Sequence, residues 1–199
     1  PAARPFRTTP MYDTFDGMNA VWGQQYGLEV VNYHALPGEP LYETPSFKRS
    51  NAWGAVRQEV MAVREGVGIN EIQNFGKFRV KGANARAWLD TMMAGAIPAP
   101  GRLSLTPMLS PKGKIIGDFT VTCLSETEFQ ITGSYGAQDF HRRWFEKHAE
   151  PGVSVENLSD RLTGFQIAGP KSRDLLARVT RADVSAAAFK FMDAKAITV

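Results

Sequence analysis

The chain has 199 residues, 43% of them apolar and 22% charged, with a formal net charge of +3 from 23 Lys and Arg against 20 Asp and Glu. Those values suit one large globular domain or a domain with an extension, and the slight, scattered positive charge argues against nucleic acid as a partner. No run approaches 18 apolar residues, so no membrane span is expected, and the opening PAARPFRTTP has no hydrophobic signal core.

Residues 1–47 are rich in Pro, Tyr, Phe and Gly. Asp13 to Tyr26 suits one short helix, with Phe15, Met18, Ala20, Val21 and Trp22 as its apolar contacts. Loops punctuated by Pro37, Gly38, Pro40 and Pro45 follow. With no evident core of its own, this arm is expected to drape over another domain or subunit. From Asn51 the pattern turns regular. Trp53, Val56, Val60 and Val63 have the spacing of an amphipathic helix, stopped by Gly66 and Gly68. FGKFRVKG then alternates as a strand, and ANARAWLDTMM reads as a helix with Ala87, Trp88, Met92 and Met93 inward. RLSLTPML and GKIIGDFTVTCL form a hairpin about the Ser110–Gly113 turn, where Pro111 pre-sets φ. EFQITG supplies a third strand, and AQDFHRRWFEKHA a helix packed by Phe140, Trp144 and Phe145.

A repeat crosses this order. FRVKGANARAWLD from Phe78 and FQIAGPKSRDLLA from Phe165 share Phe, a β-branched residue, Gly, Arg and Leu at 78/165, 80/167, 82/169, 86/173 and 89/176. Each copy reads as strand, glycine turn and helix, so the expected class is α+β with two related ferredoxin-like halves. The second copy is followed by residues 177–199 alone, so the second half is expected to be truncated.

Chemistry-bearing patterns are few. Gly66 and Gly68 lack the third glycine of a dinucleotide cradle and do not join a strand to a helix. No nucleophile elbow is present. Cys123 is the only cysteine, which excludes a disulfide framework and a cysteine-based zinc site; its place in a strand makes it a core residue. The three histidines, His34, His141 and His148, lack metal-ligand spacing, so no metal is expected. Asp118 stands out. Alternation sets Ile115, Gly117, Phe119 and Val121 on one face of its strand, and Ile116, Asp118, Thr120 and Thr122 on the other. The plain reading is an acid on a wet face. The sharper one is a carboxylate facing a pocket, with Met108 and Leu109 across the hairpin.

RQEVMAVREGVGINEIQNFGKFRVKGANARAWLD, GRLSLTPMLSPKGKIIGDFTV and FQIAGPKSRDLL, in that order, resemble the aminomethyltransferase (glycine-cleavage T-protein) fold family. They are most similar to the folate-binding C-terminal region of dimethylglycine and sarcosine dehydrogenases and oxidases. RPFRTTPMYD, VWGQQYGLEVVNY and PSFKRSNAW are similar to the segment joining the flavin and folate halves of those enzymes. The resemblance implies a connector arm over 1–47 from a flavin-containing region, and the N-terminal part of the folate-binding domain over 48–199. It implies tetrahydrofolate as cofactor here, and FAD on a part of the enzyme outside this chain. The partners implied are a flavin-containing domain or subunit, an N-methyl amine and folate, in an oligomer, in the bacterial cytoplasm or the mitochondrial matrix.

By the same resemblance Asp118 is the catalytic residue; Thr106, Met108, Leu109, Thr120 and Tyr135 are the residues expected as cofactor contacts, with a core position as the alternative reading of Met108 and Leu109. A carboxylate there can take the proton lost when a folate amine captures a one-carbon unit. Gly117 departs from the stand-alone members, which often carry a second acid at that position. Two alternatives are a stand-alone folate-dependent aminomethyl- or methyltransferase and a non-catalytic folate-binding module.

Overall fold

The computed structural model describes residues 3–199. In chain order the first elements are α1 (Tyr12–Asp16), β1 (Ala20–Gln25), β2 (Leu28–His34), α2 (Trp53–Glu65) and β3 (Gly68–Glu71). Next come β4 (Phe75–Lys81), α3 (Ala85–Met92), β5 (Arg102–Leu109), β6 (Ile115–Ser125) and β7 (Glu128–Ser134). The last are α4 (Gln138–Lys147), β8 (Ser154–Asn157), β9 (Phe165–Ala168) and α5 (Ser172–Val179). They fall into two compact units, one holding the chain up to Asn74 with Thr163–Val179, the other Phe75–Leu162 with Thr180–Val199.

In the first unit, the expected helix over Asp13–Tyr26 is replaced by α1 and a hairpin of β1 and β2. Tyr26 and Gly27 take φ of 51° and 85° at its tip, the doubly positive pattern of a two-residue hairpin loop. Gly27 relieves one of those positions, but Tyr in the other gives no sequence signal. The hairpin also supplies the core that the arm was expected to lack: Val21, Tyr33 and Ala35 pack with Ala52 and Ala55 of the α2 end. Glu29, 1% exposed, is paired with Arg4, whose Nε donates at 2.9 Å. The stripe predicted for α2 is correctly spaced but open, with Trp53 48% and Val60 49% exposed.

In the second unit, a five-stranded antiparallel sheet runs in the order β5-β6-β7-β4-β8. One face carries Met108, Phe119, Val121, Phe129, Ile131, Phe78 and Val80, at most 1% exposed. Trp88, Leu89 and Met92 of α3 and Phe145 of α4 complete that core. Ala87 turns outward, and Ala85 and Leu89 take the inward positions. On α4, Phe145 is buried, Trp144 half-buried and Phe140 46% exposed.

The pairing of the repeat is crossed. β4 of the first copy pairs with β8, Phe78 opposite Asn157 and Lys81 opposite Ser154. β9 of the second copy pairs with β3, Phe165 opposite Glu71 and Ala168 opposite Gly68. The strand of each copy thus takes, in antiparallel register, the short strand that precedes the other copy.

Candidate functional site

The β5–β6 hairpin closes as its sequence predicts, with the Ser110 carbonyl accepting from Gly113 N at 2.8 Å and φ of +70° at Gly113. Beyond the turn, Leu109 faces Ile115 but Met108 faces Gly117. Ile116 is therefore one residue too many on β6, a β-bulge. The bulge changes the expected faces. Ile116 packs against the core, and strict alternation begins only at Gly117. From there Gly117, Phe119, Val121 and Cys123 point inward, while Asp118, Thr120 and Thr122 occupy the second face.

Asp118 is exposed and sits opposite Pro107 on β5, the edge strand. Proline suits that position because it has no N–H to place in a ladder. Its carbonyl accepts from Ala94 N at 2.9 Å. Of the five residues expected to hold a cofactor, Thr120 shares the face of Asp118 on β6. Thr106 and Met108 stand on the core face at 1% and 0% exposure, because they lie opposite Phe119 and Gly117. The Thr106 hydroxyl is occupied there, accepting from Gly95 N at 2.8 Å. Leu109, past the bulge, lines a cavity of about 370 Å³ with Trp88, Met92, Met93, Trp144 and His148. Tyr135, 4% exposed, follows β7 into the interior.

The second face also carries residues that the sequence reading passed over. Phe75 begins β4 opposite Ser134, 40% exposed, at the same end of the sheet as Asp118. Leu105, 71% exposed, sits opposite Thr120. A phenylalanine at the head of FGKFRVK, out of period-two alternation with Phe78 and Val80, is the signal that could have found this one. Further along, β4 places Lys77, Arg79 and Lys81 on this face. Arg79 Nη1 meets Glu128 at 2.5 Å and Lys81 Nζ meets it at 3.3 Å. The Arg79 bond holds the Glu128 carboxyl below its usual range. Lys77 is buried and donates from Nζ to the Phe75 carbonyl at 3.1 Å.

Beneath Gly117 lie two aromatic rings, those of Phe119 and His141, 4.7 Å apart edge to face. A methyl placed on Gly117 would fall 2.6 Å from His141 Nε2 and 2.7 Å from the Phe119 ring. No acid fits there without moving both. Among the described residues, no group of three His, Cys, Asp or Glu could hold a metal ion. Among the same residues, no helix is long and apolar enough to cross a membrane. Burial pushes the Cys123 thiol up against the opposing pull of Arg86, as suits a core residue.

A family model described as the GCVT N-terminal domain matches residues 11–199, and the chain belongs to that family. Human mitochondrial dimethylglycine dehydrogenase is 32% identical over 202 residues, covering 100% of this chain and 23% of that protein. The aminomethyltransferase of Bacillus subtilis (strain 168) is 25% identical over 190 residues, covering 94% of this chain and 47% of that one. The glycine cleavage system aminomethyltransferase T from Bartonella henselae matches the fold with a TM-score of 0.76 at 20% identity, over 94% of this chain and 46% of its own. The chain therefore has the aminomethyltransferase fold, and it spans between about a quarter and a half of the length of these relatives.

Proposed function

We propose that this chain is the folate-side part of an N-methyl amine demethylating enzyme of the dimethylglycine and sarcosine type, with Asp118 as its catalytic carboxylate. The observation that carries the reading is the placement of Asp118: an exposed acid just past a bulge, on a face that also offers Phe75, Leu105 and Pro107. A flat pterin ring has an apolar face and a polar edge, and this set of residues fits both. Phe75 and Leu105 would meet the ring, and Asp118 and the Thr120 hydroxyl its polar edge. When bound, tetrahydrofolate supplies a nucleophilic amine for one-carbon capture, giving 5,10-methylenetetrahydrofolate. Asp118 is placed to accept the proton such an amine loses and to favour a neighbouring cation. Thr106 and Met108 have no part in this reading, since they face the core.

The similarity to dimethylglycine dehydrogenase, which runs the whole length of this chain at 32% identity, supports the amine-oxidising branch over the stand-alone aminomethyltransferases at 25%. FAD would then belong to another domain or subunit, with residues 1–47 as the connector to it and 48–199 as the folate side. Bacterial cytoplasm or mitochondrial matrix suits such an enzyme.

The test is Asp118→Asn in the intact protein. Flavin reduction by the amine should be unchanged. Formation of 5,10-methylenetetrahydrofolate, measured with free formaldehyde scavenged, should fall about a hundred-fold to ten-thousand-fold. An unaltered rate would reduce Asp118 to a solvated strand residue.

A further inference from the structure

His141 is 2% exposed on α4, and its Nε2 lies 3.2 Å from the carbonyl oxygen of Ile116. That carbonyl belongs to the residue left over by the bulge, two positions before Asp118. A carbonyl can only accept, so Nε2 carries the proton, and in the neutral ring Nδ1 is left bare. Nδ1 is buried and has no hydrogen-bond partner among the described residues. Protonating it would therefore create an unmet N–H in the interior, and burial accordingly pushes the pKa of His141 down. The ring also fills the space under Gly117, edge to face with Phe119. One side chain thus holds the backbone at 116 and occupies the volume beneath 117.

We propose that His141 is a positioning residue for Asp118: its Nε2–H bond to the Ile116 carbonyl, together with its packing under Gly117, fixes the bulge and so the direction in which the Asp118 carboxylate leaves the sheet. Bulges re-aim the side chains that follow them and recur beside active sites. This one would be free to relax without a donor on its leftover carbonyl. The inference rests on the reading of Asp118 given above.

The experiment uses the intact protein and has two arms. Nitrogen NMR of histidine-labelled protein should find His141 as the neutral Nε2–H tautomer; the Nδ1–H tautomer would overturn the proposal. The second arm is a cycle of His141→Phe, His141→Gln, Asp118→Asn and the Asp118→Asn/His141→Phe pair, read as formation of 5,10-methylenetetrahydrofolate with formaldehyde scavenged. His141→Phe keeps the ring but loses the donor. It should lower kcat about ten- to a hundred-fold, leaving KM for tetrahydrofolate in place. His141→Gln restores a donor at the Nε2 position and should recover most of the rate. The pair should be no slower than Asp118→Asn alone, because a residue that acts through Asp118 has nothing to act on once it is gone.

Additive losses, or a Gln variant as slow as the Phe variant, would make His141 a packing residue only. A slow Asp118→Asn beside a normal His141→Phe would end this proposal and leave the site reading standing. An unaffected Asp118→Asn would end both. Should His141→Phe fail to fold, the tautomer and the Gln variant decide: a bare Nδ1 with near-full activity supports the role, and a slow, folded Gln variant refutes it.

Discussion

The two copies of the repeat share a sequence pattern and local geometry but not an environment. In the first, Phe78 is 0% exposed, β4 is paired on both edges, and α3 buries Ala85, Trp88, Leu89 and Met92. In the second, the equivalent Phe165 is 45% exposed, β9 lies in a two-stranded sheet with β3, and α5 buries no residue. Local sequence is enough to dictate strand, glycine turn and helix in both. Burial comes from what packs against them, and only the first copy has β5, β6, β7 and α4 to supply it.

The two copies differ most at the shared phenylalanine. Phe78→Ala should cost about 3 to 5 kcal/mol in urea unfolding, the usual loss for a buried phenylalanine. Phe165→Ala should cost well under about 1 kcal/mol, as expected for an exposed position. Equal losses would mean that a further partner covers β9.

The turn glycines sharpen the contrast, because there the copies should behave alike. Gly82 and Gly169 hold φ of +142° and +119°, and an added methyl would meet the Gly152 carbonyl oxygen in one and the Gly66 and Val63 carbonyl oxygens in the other. Alanine at either should cost at least about 1 to 3 kcal/mol of backbone strain. Thermal midpoints of the two variants would show whether the backbone motif is equally demanding where side-chain burial is not.

His141 gives the first copy's sheet a pH dependence. Burial lowers its folded pKa below the unfolded value near 6.5, so below that value the unfolded chain binds a proton that the folded one refuses. The stabilisation is complete above about pH 6.5 and fades as the pH falls toward the folded pKa. His141→Gln should flatten that slope in denaturation midpoints taken from pH 7.5 to 5. The smallest effect belongs to Leu176→Ala on half-buried α5, which should cost less than Leu89→Ala on α3, where about 2 to 5 kcal/mol is usual.

What was legible in the sequence was local. The Ser110–Gly113 turn, the alternation of β4, the helix α3 and the strand, turn and helix of each copy of the repeat all act within a few residues, and all reappear. The hairpin of the arm was hidden because Tyr26 in a positive-φ position carries no signal. The bulge was hidden too, since one surplus residue in a run of β-branched side chains changes no composition. Yet it moves Ile116 inward. Asp118 could be singled out as a lone acid. Its neighbours could not, because facing depends on register, and register is set by partners elsewhere in the chain.

The crossed pairing of β3 and β8 has a consequence for how the polypeptide is made. Phe78 waits 79 residues for Asn157 (157 − 78), and Glu71 waits 94 for Phe165 (165 − 71). At synthesis rates of about 5 to 20 residues per second, the second wait lasts on the order of 5 to 20 seconds. Through that interval the nascent chain presents β3 and one edge of β4 as unpaired backbone, a template for wrong partners. The β4–β8 ladder cannot close until β8 has emerged from the ribosome, nor the β3–β9 ladder until the second copy has begun to emerge. Both ladders therefore form well after their first strands are made, and a chaperone that shields strand edges would act on β3 and β4 during that wait.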